Sequence, residues 1–169
     1  MNGSVDLGAV FDEHVADELV LKDVDATMRT MTADPYVWHL GPMTGASGYE
    51  QVMRFYSEQF IGRFPDDIEL RQISRTVSAD RVIDELIISF THDIEIPALL
   101  PGVPPTGRSV ELALVVVMGF EGNKVSHEHI YWDQASLLVQ VGLLNPAGLP
   151  VTGAGQAAKL RELAGAQHC

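Results

Sequence analysis

Leu7, Val10, Phe11, Val15 and Leu19 recur at helical spacing, with Asp6 placed to cap the first turn. A shorter helix is predicted over 23–31, its first turn acidic where the helix dipole favours negative charge. Pro35 ends it, YVWHL (36–40) reads as a short strand, and GPMTGASG (41–48) reads as a loop. Ser47 and Glu50 then have the spacing of a capping box. Beyond them Tyr49, Val52, Met53, Tyr56 and Phe60 line one face of a helix reaching about Ile61.

From residue 68 the pattern turns to strands. IELRQISRTVS (68–78) and RVIDELIISFTHD (81–93) predict a hairpin about a short turn, and four prolines keep the stretch 94–107 out of any sheet. RSVELALVVVMGFE (108–121) and KVSHEHIYWD (124–133) are the next strands, turning at Gly122 and Asn123. Asp133 can cap a helix over 134–144, and a last short helix covers QAAKLRELAG (156–165). Helices segregated from consecutive antiparallel strands predict an α+β fold, with helices on one face of the sheet. If the sheet curves, the space beneath the helices becomes a pocket for a small ligand. One domain is expected over 1–145, with 146–169 as a tail whose short helix packs on or beside it.

Composition narrows the functions. With 46% hydrophobic and 20% charged residues, the chain has the profile of a globular protein. Its net charge of −12 repels phosphate backbones and anionic lipid, so neither nucleic acid nor membrane is expected as a partner. The lone cysteine, Cys169, allows no disulfide within the chain. The N-terminus shows no basic segment followed by an apolar run, and LALVVVMGF (112–120) is about half the ~20 residues a membrane helix needs. A cytoplasmic location is expected.

Three stretches carry a family resemblance: THDIEIPALLPGVPPTGRSVE (91–111), FEGNKVSHEH (120–129) and DQASLLVQVGLL (133–144). Together with the early helices and GYEQVMRFY (48–56), they make residues 7–144 resemble the SnoaL-like polyketide cyclases, within the superfamily of nuclear transport factor 2 and ketosteroid isomerase. The resemblance implies a strongly curved antiparallel sheet wrapped around the N-terminal helices, with one deep pocket. It also implies a homodimer and a small hydrophobic ligand. Members perform ring closure, isomerisation, dehydration or epoxide hydrolysis without metal or organic cofactor, and others only bind a ligand or partner. The chain departs from the cyclase pattern at Ile130, where related cyclases keep an acid–base aspartate. It is also similar to proteins labelled as dienelactone hydrolases, but that activity belongs to an α/β-hydrolase with a G-x-S-x-G elbow, and none occurs here.

The densest chemistry lies in HEHIYWDQ (127–134). His127 and His129 could begin a metal site, but no second cluster supplies a third ligand, so no metal is expected. Alternation puts His127, His129, Tyr131 and Asp133 on one face and Glu128, Ile130 and Trp132 on the other. Either set could face the pocket, because a bulge can switch faces. Of Asp84 and Glu85 one must point inward, as an acid–base group or in a salt bridge to Arg81 or Arg108. Glu85, Glu111, Glu128 and His129 are the candidate proton-moving residues. Trp38, His39, Tyr56, His92, Tyr131 and Trp132 are the candidate ligand contacts. Two functions are expected from this set: cofactor-free acid–base catalysis on a hydrophobic carbonyl compound, or a non-catalytic ligand-binding or assembly module.

Overall fold

Helix α1 (Leu7–Ala16) starts where the Asp6 carboxylate accepts from the Ala9 N–H, and it widens into a π turn over Asp17–Leu21. Helix α2 (Val24–Arg29) is capped in the same way by Asp23. The structure is a computed structural model and describes residues 5–166; the extreme N-terminus and Cys169 lie outside them. The remaining elements are β1 (Met31–His39), β2 (Thr44–Ser47), α3 (Tyr49–Phe55) with a π turn over Tyr56–Phe60, β3 (Glu69–Val77) and β4 (Arg81–Thr91), followed by β5 (Ser109–Glu121), β6 (Lys124–Trp132), α4 (Gln134–Gln140) and α5 (Gly155–Ala166).

All six strands form one curved sheet in the order β2-β1-β6-β5-β4-β3. Neighbours are antiparallel except β1 and β6, which run parallel, so the sheet is mixed where an antiparallel one was expected. The long excursion from β1 through α3 and β3–β5 lets β6 return along β1 in the same direction. β1 begins at Met31, earlier than the sequence suggested; its pairing register shifts between Met31 and Tyr36, the interval holding Pro35, which lacks an N–H to donate. The expected loop 41–48 contains β2. The expected capping box does not form: Gly48 is the cap residue of α3, while Ser47 accepts a hydrogen bond from the Trp38 indole.

Strand alternation builds the core. Val82, Leu86, Ile88 and Phe90 of β4 and Val110, Leu112, Leu114, Val116 and Met118 of β5 are buried, and α1 packs against β4. Each such side chain contributes roughly 1.5–3 kcal/mol when fully buried, so this face dominates stability. The proline-rich segment closes one end. His92 binds it through backbone hydrogen bonds from Thr106 and Gly107, and the Ala98 carbonyl accepts from Thr44. Helix α5 lies on the other side of β5, tied by Arg161 to Glu111 at 2.5 Å and by Gln156 to Asp133 at 2.6 Å. No helix among the described residues is long and apolar enough to cross a membrane.

Candidate functional site

Between the helices and the sheet lies a cavity of about 80 Å³, several times the space one water needs. Its walls are apolar, with Phe11, Phe60, Phe64, Leu86, Leu114 and Trp132 prominent among them. Four polar side chains face it: Glu18, His39, Tyr56 and Glu128.

A bulge decides which face of β6 looks inward. Gly119 pairs with His127 and Phe120 with Val125, leaving Ser126 as the extra residue. Val125 and Glu128 therefore both point inward although three positions apart, followed by Ile130 and Trp132. The opposite set lies outside. His127 stacks on Tyr36 with ring centroids 4.9 Å apart, the His129 Nε2 lies 3.2 Å from the Tyr36 hydroxyl, and Tyr131 is exposed. Gly119 makes room for this: a Cβ there would fall 2.1 Å from the His127 ring.

Of the candidate residues, the structure thus brings Glu128, His39, Tyr56 and Trp132 together at the cavity. The others stand elsewhere. Glu85 accepts from Ser74 on the opposite face of β4, because the inward position belongs to its neighbour Asp84. Asp84 is buried, and its partner is Arg75 (Nε–Oδ1 2.8 Å), neither Arg81 nor Arg108. Glu111 is engaged by Arg161, and Trp38 alternates outward from Val37 and His39. His92 is buried beneath the proline-rich segment with Nδ1 3.1 Å from Thr106 Oγ1.

The centre of the site includes two residues the sequence reading passed over, His14 and Glu18. His14 is fully buried, and its Nε2 sits 3.0 Å from Glu128 Oε1, 3.1 Å from Glu18 Oε1 and 3.2 Å from the Tyr56 hydroxyl. Tyr56 donates to the same Glu128 Oε1 at 2.8 Å. Behind the ring, Thr30 donates its hydroxyl proton to the Thr27 carbonyl (2.6 Å), so toward His14 it must accept. The His14 Nδ1, 2.5 Å away, therefore carries a proton. Both π turns serve this cluster, one carrying Glu18 and the other Tyr56 and Phe60.

Protonation follows from the arrangement. Burial opposes a charge on His14, but the Glu18 and Glu128 carboxylates outweigh it and raise its pKa from 6.5 to about 10. Burial also opposes a charge on Glu128, yet His14 and the Tyr56 hydroxyl hold it below the usual carboxylate range. Burial and the neighbouring Glu128 charge push Glu18 up against the pull of His14. Tyr56 is raised by burial and by both glutamates and stays a neutral phenol. Burial lowers His39 to about 4, so it is a neutral ring packed among Phe55, Phe60 and Trp132. At neutral pH His14 is an imidazolium, and of the two carboxyl groups around it Glu18 holds its proton more tightly than Glu128. His14, Glu18 and Glu128 are also the described residues whose ligand atoms, all within 4.8 Å of one another, could hold a metal ion, and the His14 proton occupies the same position.

The family model for SnoaL-like polyketide cyclase matches residues 11–141. No curated protein matches the chain in sequence. Among solved structures, the chain is similar to AclR, a hydroxylase-labelled protein from Streptomyces galilaeus, at 23% identity and TM-score 0.63 over 85% of this chain and 100% of that one. A protein from Jannaschia sp. CCS1 labelled as a SnoaL-like polyketide cyclase gives 18% identity and TM-score 0.64 over 86% and 100%. SalBIII, an epoxide hydrolase/cyclase-like enzyme of pyran ring formation in salinomycin, gives 13% and 0.56 over 75% and 89%. At these identities the likeness is one of fold.

Proposed function

The chain belongs to the SnoaL-like polyketide cyclase family, and on that premise we propose that its cavity moves protons on an apolar, carbonyl-containing small molecule. The observation that carries this reading is the meeting of Glu18, His14 and Tyr56 around Glu128 inside an otherwise apolar cavity. Two carboxyl groups whose surroundings drive their pKa values apart are the pattern of an acid and a base working side by side. Relatives labelled as cyclase or epoxide hydrolase/cyclase-like support a small-molecule enzyme.

Glu18 gives its proton to the carbonyl oxygen while Glu128 takes one from the adjacent carbon. The electron pair of the broken C–H bond becomes the C=C bond of an enol, and the carbonyl π pair forms the new O–H bond. Glu18 ends ionised and Glu128 neutral, so the charge of the cluster is unchanged. His14 remains hydrogen-bonded to both and smooths the exchange. Return of a proton at a different carbon isomerises the substrate, and attack of the enol carbon on a second carbonyl closes a ring. Ile130, lining the cavity where related cyclases keep an acid, leaves Glu128 two positions earlier to do this work.

The test is deuterium wash-in next to the carbonyl across a panel of apolar cyclic ketones, followed by NMR. The wild type exchanges at least one ketone, and Glu18→Gln and Glu128→Gln each lose roughly 10²–10⁴-fold, the usual span for a general acid or base. Ketones that bind but exchange no faster than in buffer, or that exchange equally in the variants, would overturn the reading in favour of a non-catalytic binding module.

A further inference from the structure

The cavity is unusual in the charges it offers. No lysine or arginine among the described residues lines it. The basic side chains beside it are engaged elsewhere: Arg75 by Asp84 and Asp12, and Lys22 by Asp66 at 3.6 Å. The one cation of the cluster, His14, is not part of the lining; Glu18, Glu128 and Tyr56 stand between its Nε2 and the open space. A ligand therefore meets carboxyl oxygens and never the imidazolium.

The hydrogen-bond donors are spent in the same way. The Tyr56 hydroxyl is given to Glu128, the His14 Nδ1 proton to Thr30 and its Nε2 proton to the carboxylates. Apart from Glu18 and the neutral His39 ring, whose Nδ1 has no partner, the lining offers an anionic head group no free donor. Such a head group would also leave an unbalanced negative charge in an apolar space, which is unfavourable. A cation meets the reverse. The rings of Phe11, Phe60, Phe64 and Trp132 line the space around it, and the carboxyl groups of Glu18 and Glu128 face it. The chain's net charge of −12 acts in the same sense at long range.

Resting on the reading of this cavity as the reactive site, we propose that it selects ligands by charge and favours an apolar molecule with a positively charged head, an alkylammonium, over its neutral and anionic isosteres. Applied to turnover, the same preference stabilises the carbonyl compound as its oxygen gains a proton and disfavours an enolate. The substrate class is then an amine-bearing or neutral carbonyl compound, and carboxylates and phosphate esters are excluded.

Three ligands of one skeleton test this by isothermal titration of the full chain: cyclohexylmethylamine, cyclohexylmethanol and cyclohexanecarboxylate. The ammonium form is expected to bind about tenfold more tightly than the alcohol, which corresponds to the ~1.4 kcal/mol within reach of cation–π and carboxylate contacts. The carboxylate is expected not to bind at concentrations that saturate the alcohol. Glu18→Gln and Glu128→Gln each shrink the ratio of amine to alcohol affinity. An alcohol bound as tightly as the amine, or a carboxylate bound as well as the alcohol, overturns the proposal on the wild type alone. These ratios do not depend on turnover. Ammonium selection without ketone exchange would sink only the proton-transfer reading, and exchange without selection only this one.

Discussion

His14 owes its charge to its neighbours, and that dependence sets how stability responds to pH. Its pKa is raised from 6.5 to about 10, so the folded chain holds this proton more tightly than the unfolded chain. The stability it contributes is complete below pH 6.5 and is lost as the pH climbs through about 10. His14→Gln should flatten the fall of melting temperature over that interval. His39 runs the other way. With its pKa lowered to about 4, the unfolded chain takes up the proton first, and stability drains as pH falls from 6.5 toward 4. His39→Phe, which keeps the aromatic packing, should blunt that acid loss in the same melting series. Thr30→Val strands the buried Nδ1 proton and should cost about 1–3 kcal/mol in denaturant unfolding. The sequence held a sign of this cluster. Leu7, Phe11, His14 and Glu18 lie at intervals of four, three and four, so two ionisable groups share the buried stripe of α1. Following only the apolar members of that stripe passes them by.

Two elements bring distant parts of the chain to the site. In β6, alternation alone left two faces open, because nothing in HEHIYWDQ announces the bulge at Ser126. The signal lay on the partner strand, in Gly119, whose missing side chain admits the His127 ring. Deleting Ser126 should restore simple alternation with Val125 and Glu128 two positions apart and both still facing inward, so ligand binding and exchange should survive the deletion. Helix α1 is held to the sheet by Arg75, which reaches Asp84 at 2.8 Å, Asp12 at 2.7 Å and the Gly8 carbonyl at 3.2 Å. Asp84 is only 1% exposed, so Arg75→Met leaves a buried charge unpaired and should cost about 3–5 kcal/mol, read as a lower urea midpoint. That Asp84 or Glu85 would turn inward was legible from the strand pattern. That the partner would be Arg75, across the β3–β4 pairing, required the register.

At the scale of the whole molecule, the order of helices and strands and the three quoted motifs were enough to expect the α+β fold, since hydrophobic period and turn residues act locally. The parallel pairing of β1 with β6 was not, because it joins segments about ninety residues apart. With a net charge of −12, moderate salt should raise the melting temperature by screening self-repulsion. All of these features converge on one arrangement: an imidazolium between two glutamates whose proton affinities are driven apart, against an apolar cavity. An NMR titration of the chain with labelled histidine rings and glutamate carboxyls measures it directly. The account predicts that both His14 nitrogens stay protonated through neutrality and that Nε2 alone releases its proton toward about 10, with Glu18 titrating above and Glu128 below the ordinary 4.5. Titration of His14 near 6.5, with the two carboxyl groups moving together near 4.5, would contradict it.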